Sequence, residues 1–145
     1  MNETHVLSPT EQENVLARLK AAQDGRNYVT EEKIAEIADS LGLPVGEVYG
    51  VATFYSFLSV KKVGRNVIRV CQSLPCHLKG AETVAKTITE TLDIAPGETT
   101  PDGRFTLEMT NCIGACDLAP AMLVNGDLHG NLTPEKIVKI LKGYK

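Results

Sequence analysis

Apolar residues in the first sixty positions recur at helical spacing. Ser8-Pro9-Thr10-Glu11 combines an N-cap serine, a first-turn proline and an N3 glutamate, the signature of a helix start. Val15, Leu16 and Leu19 continue it as an apolar stripe that ends near Gly25. A second start falls at Thr30, where Glu31 and Glu32 suit the positive end of a helix dipole. Ile34, Ile37, Ala38 and Leu41 follow at i, i+3, i+4 and i+7, and Gly42 stops the helix. A third helix opens at Pro44 and runs through "VGEVYGVATFYSFLSV", with Val48, Val51, Tyr55 and Leu58 on one face. Residues 1–60 therefore read as a three-helix unit.

At "KKVGR" (61–65) the pattern changes. "NVIRV" (66–70) is short and β-branched, hence a strand, and runs straight into Cys71. "LKGAETVAKTITETL" (78–92) returns to helical spacing at Ala81, Val84, Ile88 and Leu92. After a loop over 95–104, "FTLEMT" (105–110) alternates as a strand leading to Cys112. "AMLVNGDLHGNL" (121–132) reads as a hairpin turning at Asn125-Gly126, and Thr133-Pro134-Glu135 starts a last helix with Ile137, Ile140 and Leu141 inward. This half reads as β-α-β-β-α, a small sheet with helices of α/β or α+β type. The expected domains are 1–64, helical, and 65–145, sheet-containing.

Bulk properties narrow the function classes. A formal net charge of -3 offers no attraction to nucleic acid or to an anionic membrane. No apolar run approaches the ~20 residues of a membrane span. The polar, acidic start "MNETHVLSPTEQENV" is unlike a secretory signal. The expected location is cytoplasmic, where thiols are kept reduced.

That expectation bears on the four cysteines, Cys71, Cys76, Cys112 and Cys116, which fall into "CQSLPC" and "CIGAC". Each pair follows a predicted strand, so two neighbouring strands would bring the sulfurs to one sheet edge. Cys76 also falls at or just before a predicted helix start, where the dipole favours thiolate. Disulfides do not suit the compartment, and a thioredoxin-type dithiol wants C-x-x-C, which neither pair supplies. Structural zinc is the serious competitor, although its knuckles generally use C-x-x-C. A [2Fe–2S] cluster takes four thiolates and tolerates wider loops, which favours it on spacing. A Rieske centre needs two histidine ligands; His77 adjoins a cysteine and His129 sits in the hairpin. Gln72, Ser73, Ile113, Gly114 and Ala115 occupy the two loops, where small residues let backbone N–H groups approach sulfur and tune a cluster. No Lys or Arg adjoins any cysteine, so a low potential is expected. His77 is a candidate partner for the cluster, against the plainer reading of an exposed histidine.

"CQSLPC", "CIGAC" and "APAMLVNGDLHGNLTPEKI", with "IAEIADSLGLPVGEVYGVATFYSFL" before them, resemble the thioredoxin-like [2Fe–2S] ferredoxins, and within them the NuoE family. Relatives of that family include small subunits of NAD(P)-linked and electron-bifurcating hydrogenases and of formate dehydrogenases. The resemblance covers about residues 8–145. It implies a thioredoxin-like second domain, with Cys71, Cys76, Cys112 and Cys116 as cluster ligands. It further implies an electron-transfer subunit with no substrate site of its own. The implied partner is a NuoF-like subunit carrying FMN, NAD(P) and its own iron–sulfur clusters, alongside further hydrogenase or dehydrogenase subunits.

Absences in the sequence agree: no G-x-G-x-x-G follows a strand and no P-loop is present, so a dinucleotide is expected on the partner. Tyr49, Phe54, Tyr55 and Phe57 are candidate docking residues of the helical unit. The rival reading is a helix-turn-helix regulator over "TEEKIAEIADSLGLPVGEVYGVATFY", zinc-stabilised or cluster-sensing. Its would-be recognition helix carries no Arg, Lys, Asn or Gln to reach bases or phosphates. Pro120, just before a predicted strand, is a candidate cis-proline.

Overall fold

The computed structural model describes residues 9–145, with side chains from residue 14 onward. Ser8 of the expected capping box lies outside the described residues, as do the side chains of Thr10 and Glu11. The chain divides into two compact units, Met1–Lys62 and Val63–Lys145.

In the first unit the helices are α1 (Pro9–Gln23), α2 (Glu31–Leu41) and α3 (Val45–Phe54). The hydroxyl of Thr30 caps α2 by accepting from the Lys33 N–H at 3.3 Å, and Gly42 ends it in the left-handed conformation, φ 65°. Val15, Leu19, Val29, Ile34, Ile37, Ala38, Val48, Ala52 and Leu58 form the core. Helix α3 is shorter than its apolar pattern predicts, stopping at Phe54 instead of continuing to Val60. The cause is tertiary. The Gln23 side chain donates to the Phe57 carbonyl and accepts from the Ser59 N–H, both at 2.8 Å, while the Val29 N–H donates to the Ser59 carbonyl at 2.7 Å. These bonds satisfy backbone that a continued helix would have paired internally, and Leu58 still reaches the core from a non-helical segment.

The second unit runs β1 (Asn66–Cys71), α4 (Leu74–Leu78), α5 (Ala81–Leu92), β2 (Phe105–Thr110), a 3-10 turn (Cys116–Leu118), β3 (Met122–Val124), β4 (Asp127–His129) and α6 (Pro134–Gly143). The helix expected over 78–92 is two helices, broken at Lys79-Gly80 where Gly80 takes φ 96°. The hairpin supplies two strands, one more than the β-α-β-β-α shorthand counts. Strand order is β2-β1-β3-β4. β1 and β2 are parallel, from Asn66 opposite Phe105 to Cys71 opposite Thr110. β3 is antiparallel to both β1 and β4. One sheet face, bearing Ile68, Val70, Phe105, Leu107, Met122 and Val124, packs on Val84 and Ile88 of α5 and Ile137 and Leu141 of α6. No helix among the described residues is long and apolar enough to cross a membrane.

At the end of the sheet where β1 starts, polar side chains tie the last residues down. Buried Asn66 donates to the carbonyls of Arg104 and Lys145, each at 3.2 Å, and accepts from Asn125 at 3.1 Å. The Arg104 guanidinium donates to the Tyr144 and Leu141 carbonyls. The Tyr144 hydroxyl donates to the Asp127 carboxylate at 2.9 Å and lies 3.0 Å from His129 Nε2. Burial, then the bond to Asp127 and its negative charge, push the Tyr144 phenol up to about 12. The folded chain thus keeps a proton that the unfolded chain releases near a pH of about 10. Stability from this contact should be complete below that pH and fall as pH rises towards 12. Denaturant midpoints across alkaline pH should show this loss, and Tyr144→Phe should remove most of it.

Candidate metal centre

Parallel pairing points β1 and β2 the same way, so the loops that follow them leave from one sheet edge. Cys71 is the last residue of β1, and its neighbour Gln72 extends the ladder by donating to the Thr110 carbonyl at 2.9 Å. Cys112 follows two residues after Thr110, and Cys116 opens the 3-10 turn. Cys76 lies inside short α4 instead of at the start of the long helix that follows. All four cysteines are free thiols.

They form two unlike pairs. Cys71 and Cys76, each 1% exposed, share a small buried cluster with Ala81, on which Ile113 and Ala119 pack. Cys112 and Cys116 are exposed, with Sγ atoms 3.4 Å apart. Because Ile113 belongs to the second loop and covers the first pair, the two loops are in contact. Among the described residues, no three His, Cys, Asp or Glu side chains converge to hold a single metal ion.

Backbone N–H groups are turned towards the sulfurs. Gly114, at φ 80°, donates to Cys112 Sγ at 3.3 Å, a left-handed geometry that favours glycine. Burial alone would raise the Cys71 thiol; the Ser73 N–H, the Cys76 side chain, the Ile113 N–H and the Ser73 hydroxyl together hold it below the ordinary value. Burial pushes the Cys76 thiol up, opposed by the Ala121 N–H. The net direction at Cys76 is therefore opposite to the lowering expected of a helix start: desolvation dominates in the single turn of α4. The neighbouring sulfur of Cys112 pushes the Cys116 thiol up.

The loop residues proposed as tuning groups divide accordingly. Gly114 reaches sulfur, Ile113 covers the buried pair and Ala115 is buried. Ser73 caps α4 from an extended backbone without a side-chain bond to that helix. Gln72 lines a shallow cleft with His77, Ala81, Glu82, Ala85 and Met109. The side chain of His77 is about half exposed, 3.6 Å from Glu82, matching the plainer reading of that residue.

Sequence reasoning missed Ala121, whose N–H faces Cys76 and whose carbonyl accepts from the Cys71 N–H at 3.4 Å. The neighbouring Pro120 was singled out only as a candidate cis-proline; the Ala119–Pro120 peptide is cis. Gly130 was missed as well. It packs on Leu118, two residues past Cys116, while the Asn131 N–H donates to the Leu118 carbonyl at 2.6 Å.

Four thiols in two pairs, with N–H groups aimed at sulfur, are a donor set suited to a dinuclear iron–sulfur core, which takes two thiolates per iron. A family model for the thioredoxin-like [2Fe-2S] ferredoxins matches residues 1–145. The chain belongs to that family. Its cofactor is a [2Fe–2S] cluster. This ferredoxin is 47% identical over 127 residues to the E subunit of NADH-quinone oxidoreductase from Escherichia coli strain K12, covering 88% of this chain and 76% of that protein. It is 37% identical over 136 residues to the HndA subunit of the NADP-reducing hydrogenase from Solidesulfovibrio fructosivorans, covering 94% and 80%. Among solved structures it superimposes on an NAD+-reducing [NiFe]-hydrogenase in the H2-reduced state, with a TM-score of 0.78 and 28% identity. That match covers 89% of this chain but only 22% of the hydrogenase chain. Relatives of this ferredoxin are therefore subunits of oxidoreductase complexes.

A β-carbon at Gly130 would stand 2.5 Å from Leu118 Cβ and 3.0 Å from the Leu118 carbonyl oxygen. Gly130→Ala should therefore lower unfolding free energy by roughly 1–3 kcal/mol, the usual cost of overpacking. Gly126→Ala in the same hairpin meets nothing within 4 Å and should change it by less than about 0.5 kcal/mol. Urea denaturation of the two variants makes the comparison.

Proposed function

We propose that Cys71, Cys76, Cys112 and Cys116 are the cluster ligands, and that the chain passes single electrons between its [2Fe–2S] cluster and a NuoF-like subunit carrying FMN and NAD(P). Cys71 and Cys76 would hold one iron, and Cys112 and Cys116 the other. The observation that carries this reading is the parallel register that ends β1 at Cys71 opposite Thr110, setting both cysteine loops on one edge. When bound, the cluster supplies one-electron redox chemistry and no bond-making of its own. The protein's part is to hold four thiolates, to donate N–H groups to sulfur and to keep one pair dry while the other faces outward. The exposed pair is the side from which electrons enter or leave.

The relatives' names support the assembly: one is a subunit of NADH-quinone oxidoreductase and another of an NADP-reducing hydrogenase. The hydrogenase chain of the solved structure includes the matching module as a minor part of its length, so there the module is tethered to the rest of an oxidoreductase. Residues 1–64 serve as the helical docking domain and 65–145 as the cluster domain. Tyr49, Phe54 and Phe57 are 46%, 80% and 39% exposed and supply the apolar contact, whereas Tyr55 packs on the helical core. Helix α3, the would-be recognition helix, offers no basic side chain, which weighs against the DNA-reading alternative.

Replacing any one of the four cysteines by alanine should abolish the acid-labile sulfide, the bound iron and the electron paramagnetic resonance signal of the reduced protein, while the helical far-ultraviolet signal persists. A variant with full iron content and an unchanged signal would refute the ligand assignment. Purification of the native assembly should recover the chain with a flavoprotein subunit.

A further inference from the structure

The two sulfur pairs differ in what reaches them. Cys71 and Cys76 are each 1% exposed beneath Ala81, Ile113 and Ala119, whereas Cys112 and Cys116 face solvent with their Sγ atoms 3.4 Å apart. A disulfide bond is about 2.05 Å long, so closing the outer pair asks the sulfurs to approach by little more than an ångström. Between them Gly114 borders open space, with nothing within 4 Å of the position its side chain would take, while Ile113 and Ala115 stay packed. Exposure admits an oxidant to the outer pair and not to the buried one, and a resolving thiol at hand diverts the first product to a disulfide.

We propose that in the chain before cluster insertion, hydrogen peroxide oxidises Cys112 and Cys116 to a disulfide within their loop, which bars cluster assembly until it is reduced. This inference rests on the ligand reading above. One thiolate attacks a peroxide oxygen; the O–O bond breaks, a sulfenic acid forms, and the departing hydroxide takes a proton to become water. The second thiolate attacks the sulfenic sulfur; the S–S bond forms, the S–O bond breaks, and the hydroxide released becomes a second water. Two electrons pass from the sulfur pair to one peroxide, leaving one disulfide and two waters. The bond removes two of the four thiolates from ligand duty. A dithiol reductant restores them by exchange.

The full-length chain, stripped of iron and reduced, is treated with one equivalent of hydrogen peroxide, alkylated, and mapped by mass spectrometry. The expected product is a peptide joining Cys112 to Cys116, lighter by two hydrogens, with Cys71 and Cys76 recovered as alkylated thiols after unfolding. The oxidised chain should take up no iron and sulfide, and dithiothreitol should restore uptake. The Cys71→Ser/Cys76→Ser double variant should form the same bond. A Cys71–Cys76 disulfide formed first, sulfinic acid at Cys112 or Cys116 in place of a disulfide, or unimpaired cluster uptake by the oxidised chain would overturn the proposal. Failure of the reduced chain to take up a cluster would count against the ligand reading instead, since the disulfide is mapped without it.

Discussion

The parallel pairing of β1 with β2 is the constraint on which the candidate metal centre depends. Antiparallel neighbours would send the loops after Cys71 and Thr110 to opposite ends of the sheet. Parallel ones, joined by the α5 crossover, deliver both to the same edge. The buried face of those strands holds the register. Ile68 and Val70 must meet Phe105 and Leu107 under α5 and α6, and a slip of one residue would turn these side chains to the other face. Core packing thereby sets the distance between cysteines forty residues apart in sequence.

From that edge outward, the site is graded in solvent access. The pair on β1 and α4 is sealed by small residues, Ala81 and Ala119, and by Ile113 from the opposite loop. The pair around the 3-10 turn lies open. Such an arrangement suits an electron carrier. Low dielectric and N–H donors around sulfur act on the potential, while an exposed flank permits close approach of a redox partner. The Asn131 N–H on the Leu118 carbonyl and the fit of Gly130 on Leu118 connect this loop to the segment after β4, so the cysteine loops are flanked by the hairpin as well as by β1 and β2.

The fold was legible where a local signal had a local cause. Thr30 and Gly42 bounded α2 because capping involves residues only a few positions apart. Strand β2 fell on the residues its alternation indicated. Errors arose where distant groups intervened. No residue near Tyr55 announces the end of α3; Gln23 imposes it from α1, more than thirty positions away. Gly80 did announce a break, but the helical periodicity around it masked the signal. That misplacement also put Cys76 ahead of a long helix dipole when it occupies a single turn governed by burial.

By itself the sequence determined the chemistry on offer: four cysteines as two spaced pairs, each after a β-branched or alternating run, in a chain with no dinucleotide fingerprint. It also set most of the elements, since periodicity and capping are properties of neighbouring residues. Only the tertiary structure decided which cysteines are dry and which are open, which N–H groups face sulfur, and that Ala121 lies against Cys71 and Cys76 and Gly130 against Leu118. Burial and hydrogen-bond direction depend on the parts of the chain that pack over a residue, and the spacing of its sequence neighbours carries no record of those parts.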